Sequence, residues 1–311
     1  MPLTLLDDWI FVGLLAAAAW ALSCVIDVCF VGDGIYREAY EGPAIAGLFC
    51  FFPAILTFGL LELDGLSTSV ITVALLSGVL FLLHLYFYFS ALFLLNDAVN
   101  AEVFNTTCVL IVPLLAFWLL GERLSWLNYA AIAVAVCGVF ILIGSQATRL
   151  CRKAALYLSA SVLAASMMMV MQAWVLETAS YATSVCLFST AAFVTVSLAC
   201  GLRRQQRRRL VFMWRQSGAL FVAVQLLELC AVLGSQRATD LSPSVSLVAL
   251  LECALPILVM AFSFLCSRYF WWSGKASSSA LRAALSEQTI AAPSKMASMV
   301  LIIVAISLVS A

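Results

Sequence analysis

Long runs of apolar residues, separated by short polar segments, extend along almost the whole sequence. A bilayer core about 30 Å thick requires roughly 20 apolar residues per helix. Ten segments meet this requirement: residues 9–31, 43–61, 68–95, 98–120, 126–143, 155–176, 182–201, 218–234, 241–266 and 292–311. The runs are continuous rather than alternating, which argues against membrane-spanning strands. The pattern predicts an all-α integral membrane protein with ten transmembrane helices.

The ten predicted spans divide into five plus five, with a boundary near residue 149. A shift of 143 residues aligns three identical pairs in spans four and nine: Asp97 with Asp240, Pro113 with Pro256, and Leu115 with Leu258. The same register aligns the end of span three with the end of span eight. We therefore predict two five-helix repeats, residues 1–148 and residues 149–311, the second with a divergent last helix after a long loop, 268–293. A membrane helix that occurs twice, with a proline each time, is typical of a transporter whose pathway lies between two repeats.

Composition places these helices in lipid. Apolar residues make up 65% of the 311 residues and charged residues only 10%, with a mean hydropathy of +1.10. A soluble domain carries about 25% charged residues. No basic start precedes a small-residue cleavage site, so the first apolar run is expected to be the first helix of the mature protein. The eleven cysteines include no C-x-x-C pair and accompany a single histidine, which favours packing residues over a disulfide framework or a metal site.

The basic residues are distributed unevenly between the two sides of the predicted membrane domain. The loops after spans one, three, five, seven and nine hold fourteen of the sixteen lysines and arginines, and the opposite side holds only Arg123 and Arg237. Since cytoplasmic loops are rich in lysine and arginine, this bias predicts that both termini lie outside. The run 203–209 lies beside a span and needs no explanation in terms of nucleic-acid binding.

Residues 100–144, NAEVFNTTCVLIVPLLAFWLLGERLSWLNYAAIAVAVCGVFILIG, resemble the signature of EamA-type transporters in the drug/metabolite transporter superfamily. The shared features are a polar helix start, a proline, an aliphatic run, the G-E-R-L-S turn and a glycine-containing helix. The resemblance is good over spans three to five, fair over spans eight and nine, and poor over span ten. It implies two inverted five-helix repeats, transport of metabolites or drugs, and a bacterial cytoplasmic (inner) membrane. It also implies cytoplasmic termini, in conflict with the charge bias, so orientation stays open.

Four acidic residues fall within the predicted spans: Asp27, Glu102, Glu228 and Glu252. A charge at the bilayer centre costs at least about 2.5 kcal/mol, so such residues are functional candidates. Apart from Lys295 at the very start of span ten, no lysine or arginine lies within a predicted span, and His84 is the one potential cationic partner in the span interiors. Unpaired acids in a low dielectric tend to be protonated. They would therefore exchange protons during transport or meet a cationic group on a solute.

The candidate solute- or proton-binding residues follow from these acids and from the polar residues on the same helix faces. Glu252 lies one turn before Pro256, and helical spacing places Glu102, Asn105, Val109 and Pro113 on one face of span four. The full set of candidates is Glu252, Glu228, Gln225, Glu102, Asn105, Asn100 and His84, with Pro113 and Pro256 as hinges. The alternative is that these carboxyl and amide groups hydrogen-bond between helices as packing contacts.

Other residues receive less weight. Asp27 approaches the end of span one, where it could simply reach the interface. The indole rings of Trp20, Trp118 and Trp174 could stack on a solute or face lipid, and the methionines at 167–171 beside Gln172 could form an adaptable wall or fill space. The Asn105 sequon lies within a span, so we expect no glycosylation. Glu122 and Arg123 are expected to cap the turn between spans four and five.

The sequence favours a secondary transporter that moves a small organic solute by alternating access and that could be proton-coupled. No cofactor is expected, and the partners are a small-molecule substrate and the lipid bilayer, with no nucleic acid and with oligomerisation open. The lack of buried bases argues for a neutral, zwitterionic or cationic solute. An enzyme is not expected, because neither G-x-S-x-G nor H-E-x-x-H occurs. The alternatives are a flippase for lipid-linked intermediates and a non-transporting membrane scaffold.

Cys151 offers a test of orientation, because it lies between the basic residues Arg149 and Arg152 in the loop after span five. On the charge bias, a membrane-impermeant maleimide should label Cys151 only after the cells are permeabilised. The Cys151→Ser variant identifies the signal as that of this residue. Labelling of Cys151 in intact cells would instead place this loop outside.

Overall fold

The computed structural model describes residues 7–32, 34–95, 97–146, 151–202, 204–272 and 293–310. It is 86% helical, and no strand occurs in these ranges. The predicted all-α fold class is therefore confirmed. In chain order the α-helices are α1 (Trp9–Gly32), α2 (Glu41–Phe49), α3 (Phe51–Phe58), α4 (Thr68–Leu95), α5 (Ala98–Asn105), α6 (Cys108–Leu119), α7 (Trp126–Gln146), α8 (Arg152–Leu176), α9 (Tyr181–Leu202), α10 (Arg204–Leu241), α11 (Val245–Leu251), α12 (Leu255–Trp272) and α13 (Pro293–Ser310).

Nine helical stretches of the described chain are long and apolar enough to cross a membrane. Two of them combine a pair of helices, since α2 with α3 and α5 with α6 each count as one stretch. A further stretch joins α11 to most of α12. The apolar part of α13 is shorter, Met296–Val309. The protein is thus a multi-pass α-helical membrane protein.

One predicted boundary is wrong because a helix extends well beyond the apolar run. The segment before span eight was expected to be a loop, but α10 begins at Arg204 and continues without interruption to Leu241. Arginine and glutamine are good helix formers, and no proline interrupts this segment. Arg207, Arg208 and Arg209 therefore lie on the first turns of a 38-residue helix. Similarly α12 extends to Trp272, and residues 273–292 of the predicted long loop lie outside the described residues.

Helices from the two halves of the chain pack against each other in pairs. The most extensive contacts between halves join α4 to α8, α1 to α10, α7 to α13, and α9 to α3 and α4. The broken helices also meet, because α6 contacts α11 and α5 contacts α12. The two halves therefore share one interior rather than forming separate bundles.

Small residues allow the closest of these helix contacts. A Cβ atom added at Gly78 of α4 would lie 2.2 Å from the backbone oxygen of Phe188 on α9. A Cβ at Gly47 of α2 would lie 2.4 Å from Val196 of α9. In lipid, where apolar side chains gain little by leaving the solvent, such close backbone approach is a main source of helix association.

An aromatic cluster closes the interior at the end where α1 finishes. Phe30, Tyr36, Phe89 and Phe221 place their ring centroids 5.1–5.8 Å apart. All four side chains are almost fully buried. Burial raises the pKa of the Tyr36 hydroxyl, in the loop before α2, well above its usual range. The phenol therefore stays neutral over the physiological pH range.

A buried ion pair fixes the loop that carries Tyr36. The Nε atom of Arg209 donates to Oε1 of Glu41 at 2.8 Å, and another guanidinium nitrogen donates to the backbone oxygen of Ile35 at 2.8 Å. The other carboxyl oxygen of Glu41 accepts the backbone N–H of Arg37 at 2.6 Å. These contacts tie the α1–α2 loop and the first turn of α2 to the extended start of α10.

We expect Gly78→Ala to destabilise the protein, because the backbone oxygen of Phe188 occupies the position of the added methyl group. Overpacking of this kind costs about 1–3 kcal/mol. The measurement is thermal unfolding of the purified protein in detergent. Gly218→Ala is the matched control, because Gly218 is also helical and its added Cβ would meet nothing closer than 3.6 Å. Equal unfolding temperatures for the two variants would contradict the close α4–α9 packing.

Candidate functional site

A cavity of about 70 Å³ lies between the two halves of the chain. Its walls come from α1, α4 and the α5–α6 junction in the first half, and from α8, α10 and the α11–α12 junction in the second half. The lining residues lie near the middle of these helices and toward the side where α1 begins. Among them are small residues of α1, Gly13, Ala16 and Ala17, which leave room for the cavity.

Glu252 reaches this cavity from a break in the ninth apolar stretch. Residues Glu252–Ala254 form a 3₁₀ turn between α11 and α12. Proline has no N–H, so Pro256 cannot bond to the backbone oxygen of Glu252 four residues earlier. The N–H of Leu255 bonds to that oxygen instead, which tightens the backbone locally. The sequence E-C-A-L-P therefore turns an acidic side chain into the interior of the protein.

The Glu252 carboxyl group has two weak partners. Oε1 accepts a hydrogen bond from the Ser235 hydroxyl of α10 at 3.2 Å, and Oε2 lies 3.9 Å from the Cys108 sulfur of α6. No described lysine, arginine or histidine forms an ion pair with it. The Glu252 side chain is partly exposed, and it lines the cavity. An acid held this way can accept a donor or a cationic group from a solute.

The opposite wall comes from a break in the fourth stretch, between α5 and α6. The hydroxyl groups of Thr106 and Thr107 donate to the backbone oxygens of Val103 and Phe104, each at 2.7 Å. Threonine hydroxyls that bond back to the preceding turn compete with regular helical hydrogen bonds. At this break Asn105 and Cys108 line the cavity. The Asn105 Oδ1 atom is buried and has no hydrogen-bond partner within the described ranges.

The two predicted hinge prolines occupy different positions relative to these breaks. Pro256 is the second residue of α12, two residues after the last residue of the 3₁₀ turn. Pro113 lies within α6, which continues through it, and the break in that stretch is instead at Thr106 and Thr107. The break in span four is thus made by threonines, and the break in span nine by a proline.

His84 of α4 forms part of the cavity wall, where α4 packs on α8. Its Nδ1 atom lies 2.9 Å from the Ser161 hydroxyl and 3.2 Å from the Ser161 backbone oxygen. The imidazole ring stacks on Trp20 with 6.0 Å between centroids. Both rings line the cavity, as does Gln172, whose Nε2 atom is buried without a partner. The cavity therefore offers an acid, two amides and a stacked aromatic pair.

Glu102 lies one layer behind the cavity. Its side chain is completely buried, and Oε1 accepts a hydrogen bond from the Cys24 sulfur of α1 at 3.2 Å. Trp20, Tyr88 and Asn105 surround the carboxyl group. The second oxygen, Oε2, makes no hydrogen bond in the described structure. Glu102 contacts residues of the cavity wall without lining the cavity itself.

The remaining predicted site residues lie elsewhere. Glu228 and Gln225 of α10 line a second, smaller cavity of about 10 Å³. Asn100 bonds to Asp97 through its backbone nitrogen at 3.1 Å and its side-chain nitrogen at 2.6 Å, and so helps to cap the start of α5.

Several site residues were missed by the sequence analysis. Ser161 and Ser235 bond to His84 and Glu252, and both are ordinary small polar residues within apolar helices. Their partners are 77 and 17 residues away along the chain, so local spacing carries no sign of the contact. The four acids themselves were found by their charge alone.

Glu122, in the G-E-R-L-S turn, makes a contact that joins the two halves. Its Oε1 atom accepts a short hydrogen bond from the hydroxyl of Ser244, which caps the start of α11 by accepting from the N–H of Leu247 at 3.3 Å. The turn thus positions the helix that ends at Glu252. Arg123 is exposed.

The sequence matches no family model and no curated protein. Among solved structures, 21 chains are similar. One of them, known from a crystal structure, superposes with a TM-score of 0.58 at 18% sequence identity, over 97% of this chain and 96% of the other chain. At this identity the similarity concerns the fold alone. The fold therefore has solved counterparts over nearly its full length.

We expect Glu122 and Ser244 to be energetically coupled. Glu122→Ala and Ser244→Ala should each lower the unfolding free energy, and the double variant should lose less than the sum by about 1 kcal/mol. The measurement is a double-mutant cycle by unfolding in detergent. Arg123→Ala, one residue from Glu122 and exposed, is the control and should change little. Strict additivity of the two alanine variants would mean that the hydrogen bond contributes nothing.

Proposed function

We propose that this protein is a secondary transporter of the EamA type in the drug/metabolite transporter superfamily, with its solute site in the cavity at Glu252. The observation that carries the proposal is that corresponding spans of both halves line this cavity: spans one, three and four from the first half, and spans six, eight and nine from the second. A site between repeats, near the middle of the membrane and beside broken helices, is the arrangement expected for alternating access.

The helix contacts support two repeats related by a pseudo-two-fold axis. Helices α1, α4, α8 and α10 form spans one, three, six and eight. If each span is exchanged with the span five positions away, the contact between α1 and α10 becomes the contact between α8 and α4. Both of these contacts are extensive. In the same way the contact of α1 with α12 becomes that of α8 with α6. The contact of α7 with α13 maps onto itself. This symmetry of packing favours ten helices as two inverted repeats.

The cavity wall favours a small solute that carries a positive charge or several donors. Glu252 is an acid with no basic partner among the described residues, and the stacked rings of Trp20 and His84 offer a flat surface for a cation or an aromatic group. Met168 and Met169 complete an adaptable apolar side. A strongly anionic solute would lack a cationic partner here.

A flippase is the second candidate, and one feature bears on it. An apolar groove of about 660 Å³ runs between α2, α3, α9 and α10, with Trp214 and Arg215 at its wall. Such a groove can hold an acyl chain, but it shares no lining residue with the Glu252 cavity. A flippase needs a lateral opening that joins lipid to the polar site. The separation of the two spaces therefore favours a water-borne solute.

The test is uptake of a panel of labelled amines, amino acids and nucleosides into liposomes that contain the purified protein. Glu252→Gln should reduce uptake of the transported solute by about tenfold or more, which corresponds to about 1.4 kcal/mol of lost binding. Glu177→Gln, an exposed acid between α8 and α9, is the matched control and should transport normally.

Two results would contradict the proposal. If no member of the panel is taken up by the unmodified protein while a labelled lipid is translocated, the flippase is favoured. If Glu252→Gln transports the solute at the normal rate and affinity, the solute site lies elsewhere.

A further inference from the structure

A second group of buried acids lies outside the solute cavity. Asp27 of α1 and Glu228 of α10 are 2% and 5% exposed, and their carboxyl groups lie close enough to interact electrostatically. The α1–α10 contact is among the most extensive in the protein. One oxygen of each group, Asp27 Oδ1 and Glu228 Oε2, has no hydrogen-bond partner in the part of the chain that the structure describes.

Unpaired polar groups from a third helix complete this site. The small cavity beside Glu228 is lined by Gln225 of α10 and Ser189 of α9, each 1% exposed. The Ser189 hydroxyl and the Gln225 Oε1 atom have no hydrogen-bond partner among the residues described. The cavity volume of about 10 Å³ is close to the smallest space that holds one water molecule. The three polar side chains in this otherwise apolar wall, Ser189, Gln225 and Glu228, could hydrogen-bond a water molecule or hydronium ion in a space of that size.

Among the described residues, the groups around the two acids supply no compensating positive charge. The titratable side chains that face them are Cys24 of α1, Cys50 of α2, Glu102 of α5 and Tyr36 of the α1–α2 loop, and α9 contributes the hydroxyl of Ser189. Arg209, on the same helix as Glu228, is tied to Glu41 and Ile35. Two carboxylates in contact without a base repel each other, and a hydrogen bond between them requires a proton.

The acid pair is separated from the solute cavity by two apolar side chains. Phe81 of α4 and Val232 of α10 line both cavities, so they form the partition between them. On its other side the pair lies near Tyr36, a member of the aromatic cluster that closes the interior. Movement of either barrier would open the acids to one side of the membrane at a time.

We propose that Asp27 and Glu228, with Gln225, Ser189 and one water molecule, form a proton-binding site distinct from the solute cavity. A hydronium ion from one side gives its proton to the pair and leaves water, and a water molecule on the other side accepts that proton after the helices rearrange. The coupling of this proton to solute movement rests on the proposed transport function. The proton site itself does not depend on that function.

Infrared spectroscopy of the purified protein in lipid tests the site without transport. A pH titration should show the stretching band of a protonated carboxyl group, and Asp27→Asn and Glu228→Gln should each abolish or shift it. Glu252→Gln is the matched control and should leave this band in place. Asp27→Glu and Glu228→Asp keep the carboxyl groups and should restore a titrating band, which separates loss of the proton site from misfolding.

Two spectroscopic results would overturn the proposal. One is a band that is unchanged in both Asp27→Asn and Glu228→Gln. The other is a titration that shifts when Na⁺ replaces choline in the buffer, because the site would then bind sodium.

A transport arm tests the coupling separately. With a solute that the unmodified protein accumulates in response to a pH gradient, Asp27→Asn should lose that accumulation and keep solute binding. Accumulation that persists in Asp27→Asn would overturn the coupling. If the protein moves no solute at all, the proposed function fails, whereas the infrared result still decides whether the pair binds a proton.

Discussion

The backbone of a membrane helix must satisfy its own hydrogen bonds, because lipid offers no substitute for water. In this protein the helical ladder is altered within two stretches, at Thr106–Thr107 and at Glu252–Ala254, and both places are buried against the opposite half of the chain. At the first place, the threonine hydroxyls donate to backbone oxygens of the preceding turn. At the second, the backbone N–H of Leu255 donates to the backbone oxygen of Glu252, three residues earlier. The cavity lies where the two breaks meet, so the position of the polar site follows from where the backbone leaves the regular helix.

The buried acids are divided by the same architecture. Glu252 faces the cavity, Glu102 lies behind its wall and bonds to Cys24, and Asp27 lies near Glu228 behind Phe81 and Val232. Among the described residues, none of these four acids forms an ion pair with a basic side chain, whereas Glu41, near the end of the bundle, pairs with Arg209. Basic residues stay at the helix ends, where the charge is hydrated. An interior whose described residues include four acids and a histidine but no lysine or arginine favours protons or cationic groups as its ligands.

Contacts between the halves hold the breaks in place. Glu122 bonds to Ser244 and thereby ties the turn after α6 to the helix that leads into Glu252. Gly78 lets α4 approach the backbone of α9, beside Phe81 and Ser189 of the two cavities. At the opposite end, Arg209 and Glu41 secure the loop that carries Tyr36. The polar sites are therefore set between two anchored ends of a closely packed bundle.

The sequence by itself determined the all-α membrane class, most of the spans and the identity of the buried acids, because length, hydropathy and charge are local properties. It did not predict the helical start of α10, since an arginine-rich segment reads as a loop when only hydropathy is considered. Only the tertiary structure decided that Glu228 lies near Asp27 rather than Glu252, that Ser235 lines the cavity, and that Ser161 bonds to His84 in the cavity wall. Those pairings join residues of different helices, so they depend on how helices rotate and pack, which helical periodicity along one segment does not specify.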